Sequence, residues 1–123
     1  MAGRRLKPIA FLGNALDLIR AFPEGARKEA GVQLHKVQQG FPPSDWKPMR
    51  SVGLGVAEIR MHDEAGAFRV IYTATRDDAI YVLHAFQKKT ERTAKRDLDI
   101  AATRLKQIWK AAGTIDNGTA DLR

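Results

Sequence analysis

Glu58, Arg60, Arg69, Lys88 and Lys89 fall at spacings that could bring one carboxylate and four cations onto a single surface. Val56 to His62 alternates in character, so Val56, Glu58, Arg60 and His62 share a face if the segment is a strand. Asp63-Glu-Ala-Gly66 reads as a hairpin turn, which sets His62 opposite Ala67 and Arg60 opposite Arg69. Two arginines directly opposite on one face repel each other. The arrangement is worth keeping if an anion sits between them, or if Glu58 neutralises them as a salt-bridge partner. A second turn at Arg76-Asp-Asp78 brings Phe86 beside Arg69, so Lys88 and Lys89 emerge at the same end of the sheet. Lys47 can join them from the preceding loop.

Such a patch suits phosphodiester chemistry. Arginine offers a planar fork of donors that matches phosphate oxygens, and lysine a compact point charge. When an RNA 2′-hydroxyl attacks its own phosphate, negative charge grows in the transition state, and preorganised cations stabilise it. The general base stays open at this level. Among crowded cations a lysine gives up its proton more readily, which admits Lys88 or Lys89, and Glu58 is the other candidate. Arg92 follows the lysines and extends the RNA-binding surface. Trp46 has two readings: it stacks on a base, or it pins its loop to the core.

Other chemistries find little support. His84 lies in an apolar strand and reads as a core histidine, while His35 sits on a helix and His62 beside a turn. The three histidines have no metal-ligand spacing and no cysteine partners, so no metal site and no cofactor are expected. There is no glycine-rich phosphate loop and no serine–histidine–aspartate order for nucleophilic catalysis.

Composition points the same way. The 123 residues fit one domain and carry a formal charge of +7, with a pI near 10.1. A small basic domain concentrates polyanions around itself and releases counterions on contact. The absence of cysteine excludes disulfides and thiolate chemistry. No stretch reaches the roughly 18 apolar residues of a membrane span, and no signal-length apolar core follows the basic N-terminus, so a cytoplasmic protein is expected.

The elements that must position these side chains can be read in order. Leu6 to Leu12 predicts a first strand, and Asn14 predicts the cap of a short helix through Phe22. Pro23 opens a second helix to about Gln39, whose Ala26, Ala30, Leu34 and Val37 form one apolar face. Residues 41–55 read as a long loop. Val56–His62, Ala67–Thr75 and Ala79–Gln87 form an antiparallel meander. Thr93 predicts the cap of a last helix, with Leu98, Ala101, Leu105, Ile108 and Ala112 on one face and Gly113 stopping it. The fold class is α+β, a sheet with helices packed on it.

Val56-Ala-Glu-Ile-Arg60, Phe68-Arg-Val-Ile-Tyr72 and Leu83-His-Ala-Phe-Gln-Lys-Lys-Thr90, followed by a helix with Ala101 and Arg104, resemble the phage-derived branch of the RelE/HigB toxin superfamily. The resemblance covers about residues 10–112. It implies a RelE-like domain over residues 1–113, with two N-terminal helices, a small twisted antiparallel-rich sheet and a C-terminal helix; residues 114–123 have little to bury and are expected to form a flexible tail. It implies a type II toxin that cleaves mRNA on the translating ribosome, without a small-molecule cofactor or membrane partner, silenced by a helix-turn-helix antitoxin. Arg60, Arg69, Lys88 and Lys89 match motif positions; the terminal Tyr or His that some relatives use is absent from the strand end. Two competing classes are a ParE-like inhibitor of DNA gyrase and a non-catalytic phage-related nucleic-acid-binding module.

Overall fold

The computed structural model describes residues 5–116. They form one small α+β domain in the order β1 (Ile9–Phe11), α1 (Ala15–Arg20), α2 (Glu24–Gln38), β2 (Trp46–Pro48), β3 (Val56–Asp63), β4 (Gly66–Thr73), β5 (Ile80–Lys88) and α3 (Lys95–Asp116). The five strands lie side by side in the order β1-β5-β4-β3-β2, with β1 parallel to β5 and every other pair antiparallel.

Side-chain alternation divides the sheet into two faces, each covered by helices. Ile59, Met61, Phe68, Val70, Tyr72, Val82 and Ala85 pack against α1 and α2 through Ala15, Ile19, Phe22, Ala26, Ala30 and Leu34. Phe22 meets Phe68 with ring centroids 4.8 Å apart, fixing the α1–α2 corner to the central strand. On the other face Val56, Ile71, Leu83 and Phe86 meet Ala101, Leu105 and Ile108 of α3. This second apolar cluster stops short of the β3–β4 turn, and the charged positions begin where it ends.

The predicted meander is present, with Asp63 and Gly66 as its last β3–β4 pair and only Glu64-Ala65 left in the turn. Several boundaries differ. The first strand is only Ile9–Phe11, beginning after Pro8, whose ring removes a backbone donor. The expected loop 41–55 contains a strand: Trp46–Pro48 pairs with Ala57–Ile59 at the sheet edge, where a proline is tolerated. Neither predicted helix cap forms. Asn14 precedes α1 without a side-chain cap bond, its Oδ1 accepting instead from Arg104 Nη2 at 2.7 Å. Thr93 turns its hydroxyl to Glu58, and Ala94 supplies the first carbonyl of α3. The helix also runs through Gly113 to Asp116; of the expected tail, residues 117–123 lie outside the described residues.

A long-range contact replaces the cap that Pro23 cannot give α2. Asp63 Oδ2 accepts from the Ala26 N–H at 3.1 Å, while its Oδ1 accepts from the Ala65 N–H in the hairpin turn. Gly25 leaves room for this contact, since a Cβ would sit 2.9 Å from Asp63 Oδ2 and push the carboxylate aside.

Candidate functional site

The strand register is the one expected. Arg60 lies opposite Arg69, Arg69 opposite Phe86, and Ala67 opposite Lys88. What the side chains do with that register differs.

Arg69 is buried rather than projecting to solvent. Its Nε lies 3.6 Å from Glu58 Oε1, with side-chain exposures of 7% for Arg69 and 0% for Glu58. Arg69 Nη1 donates to its neighbour's carbonyl, Phe68 O, at 3.0 Å. Thr93 Oγ1 closes the arrangement from above, donating to Glu58 Oε2 at 2.9 Å. The Arg69 Nε and Glu58 Oε1 atoms themselves are buried without a hydrogen-bond partner, so their attraction is that of opposite charges in a poorly solvated place. Burial lowers the Arg69 pKa, and Arg60 lowers it further, while Glu58 and Asp45 oppose both.

Arg60 resolves the expected repulsion by turning outward. Its Nε meets Asp45 Oδ1 at 3.2 Å, and its backbone N–H donates to Asp45 O at 2.8 Å. Each arginine therefore has its own acid, and no anion is needed between them. Arg69, expected on an open cationic surface, is instead 7% exposed beside Glu58, and Thr93 from the segment before α3 bonds to that glutamate. Glu58 is fully buried, with one oxygen engaged by Thr93 and the other facing Arg69.

The cations that stay open to solvent are others. Lys88 is half-buried at the end of β5, and Lys89 and Arg92 are exposed on the segment leading to α3. Lys47 pairs across the β2–β3 ladder with Glu58, on the same face, and is exposed. Lys47, Arg50, Arg92 and Thr93 line a cleft of about 340 Å³. Among the described residues, none of Lys47, Arg50, Lys88, Lys89 and Arg92 makes an ion pair. Trp46 is 43% exposed at the sheet edge, so its ring is available to solvent. No group of three or more acidic or histidine side chains gathers as metal ligands among the described residues.

Residues 17–106 match the family described as Phage derived protein Gp49-like (DUF891). The chain belongs to the Gp49-like family. This is a toxin–antitoxin-associated family of phage-derived proteins. No curated protein matches the chain. The Gp49-like match runs from α1 into α3, so it takes in the buried Glu58–Arg69 pair and all the open cations just described. Among the described residues no helix is long and apolar enough to cross a membrane.

In this Gp49-like domain one buried pair escaped the sequence reading. His84 is buried, as an apolar strand implies, but its Nε2 lies 2.8 Å from Asp97 Oδ1 in the first turn of α3. Burial pushes the His84 pKa below 6.5; the Asp97 hydrogen bond opposes this, and Arg104 and Arg96 add to the lowering. The neutral ring therefore donates through Nε2 to Asp97, leaving Nδ1 buried without a partner. The unfolded chain takes up a proton here as pH falls through about 6.5, whereas the folded chain does so only at lower pH. Stability from this group is thus present above that value and lost on acidification. The melting temperature is expected to fall as the pH drops below about 6.5, and to fall less in His84→Gln. Identical pH slopes for the two proteins would contradict this.

Proposed function

We propose that this chain is the toxin of a type II toxin–antitoxin system, an endoribonuclease that cuts mRNA on the translating ribosome. The observation that supports the reading is the contrast between two sets of cations. Arg60 and Arg69 are neutralised by Asp45 and Glu58, while Lys88, Lys89, Arg92, Lys47 and Arg50 stand open without an acid partner among the described residues. A surface that pairs some of its charges and leaves a neighbouring set free is suited to a polyanion.

In this reading Lys88 and Lys89 hold the scissile phosphate. The 2′-hydroxyl gives its proton to water as its oxygen attacks phosphorus, the 5′-oxygen leaves and takes a proton from water, and the upstream fragment ends in a 2′,3′-cyclic phosphate. The lysines stabilise the charge that accumulates on the phosphoryl oxygens. Glu58, Arg69 and Thr93 hold the segment that carries Lys89 and Arg92 against the sheet. Arg60 and Lys47 flank the path of the RNA, with Trp46 at its edge offering a stacking surface. The ribosome supplies orientation to a surface whose open cations flank one exposed acid, Glu91, in the cleft shared by Lys47, Arg50 and Arg92. An acidic helix-turn-helix antitoxin is the partner that the +7 charge and the family association favour.

Primer extension across a message incubated with the protein tests this, once as naked RNA and once during translation. Codon-linked breaks during translation, with little cutting of naked RNA, are expected. An intact message in both reactions would overturn the proposal, and gyrase inhibition with intact message would replace it with a ParE-like activity.

A further inference from the structure

The last half of β5 has no neighbour on its β1 side, because β1 pairs only with Ile80, Tyr81 and Val82. Beyond that point α1 and the first turns of α3 stand apart and leave a cleft of about 620 Å³. Its floor is the buried run His84, Ala85 and Phe86, with the His84 and Phe86 rings stacked at 5.4 Å. Leu18 of α1 and Ile100 of α3 give it apolar walls, both only half-buried.

Its charge is one-sided. Lys88, Lys89, Arg96 and Arg104 line the cleft, and the single acid among its lining residues, Asp97, is already held by His84. Among the described residues Lys88, Lys89 and Arg96 have no ion-pair partner. Arg104 is fixed in place: Nη1 donates to Leu83 O at 2.9 Å and Nη2 to Asn14 Oδ1 at 2.7 Å. Its guanidinium lies where a Cβ on Gly13 would stand, only 2.5 Å away, at a backbone φ of +54° that also favours glycine. His84, 4% exposed, keeps an unpartnered Nδ1 at the floor. Apolar walls, a fixed donor and three free cations around a space of this size are the composition of a small-ligand site, which typically occupies about 300–1,000 Å³.

We propose that this cleft binds one nucleotide of single-stranded RNA next to the scissile phosphate, with the base between Leu18 and Ile100 and its phosphate on Lys88, Lys89 and Arg96. The proposal rests on the RNA-cleaving reading, because Lys88 and Lys89 belong to both surfaces and a strand crossing them leads into the cleft. Recognition of an unstacked base in a pocket is how single-stranded RNA is commonly read. An acidic peptide is the competing occupant of the same charge, but it would leave the apolar walls unused.

The test is NMR of the histidine and isoleucine side chains of the full chain, titrated separately with the four nucleoside 5′-monophosphates, inorganic phosphate and a glutamate-rich peptide. Nucleotides are expected to shift His84 and Ile100, and inorganic phosphate to leave Ile100 in place. Arg96→Glu and Ile100→Asp, at unchanged melting temperature, should each weaken nucleotide binding about tenfold or more, about 1.4 kcal/mol. The codon-linked breaks made by both variants should shift in position or slow by a similar factor. No shift with any nucleotide, or shifts with the peptide alone, overturns the proposal. So do unchanged breaks from variants that no longer bind nucleotide, an outcome that leaves the toxin reading standing. Nucleotide binding by a wild-type protein that cuts no RNA would instead sink the toxin reading and, with it, the assignment of RNA to this cleft.

Discussion

Arg69→Ala is expected to lose about 3 to 5 kcal/mol of folding stability, because it strands a buried carboxylate without its counter-charge. Glu58 is fully buried, and Thr93 supplies only one hydrogen bond to it. A domain of this size has about 5–15 kcal/mol in total, so the variant should stand near the edge of unfolding. Growth inhibition would then be lost with the fold, and the loss would say nothing about contact with RNA. The double variant Glu58→Leu/Arg69→Met removes both charges and keeps the volume, so it should recover most of the stability. Urea denaturation of wild type, single and double variants decides the matter. An Arg69→Ala protein with the wild-type midpoint would contradict the buried pair.

The strand register was legible because it rests on local rules. Alternation along Val56–Asp63 and a short turn at Glu64-Ala65 suffice to set Arg60 against Arg69 and, one strand on, Phe86 against Arg69. The apolar spacing of α2 and α3 likewise located their buried faces. Glu58 stood in the sequence as the arginines' neutralising acid, and it pairs with Arg69; what sequence could not show is that Arg60 turns to Asp45 instead. Asp45 lies 15 residues before Arg60 in a segment that reads as loop, and Thr93 lies 35 residues after Glu58, where a helix cap is the local expectation. The Arg104–Asn14 bond spans 90 residues and the His84–Asp97 bond links a strand to a helix. The Thr93, Arg104 and His84 contacts depend on where α3 lands on the sheet, and the Arg60–Asp45 pair on how the chain enters β2 beside β3; no local pattern carries either. Pro48 hid β2 for the opposite reason: as a strand breaker it argued for loop, yet an edge position costs the ladder little.

The largest effect on activity without loss of fold is expected from the lysines. Lys88 is half-buried and Lys89 exposed, and neither makes an ion pair among the described residues, so removing them should leave the melting temperature nearly unchanged. Each charge-stabilising donor typically contributes about 100- to 1,000-fold in rate. If the two lysines act on the same developing charge, their effects should be less than additive, yet the double variant should still fall at least about 100-fold. The measurement that tests the central claim most directly is cleavage of a translated message by wild type and by Lys88→Ala/Lys89→Ala. It uses preparations of equal melting temperature, with fragment ends identified chemically. The wild type is expected to leave 2′,3′-cyclic phosphate ends, and the double variant to be folded and slower by about 100-fold or more. A folded double variant that cuts at the wild-type rate, or wild-type fragments ending in a 3′-hydroxyl, would contradict the proposed mechanism.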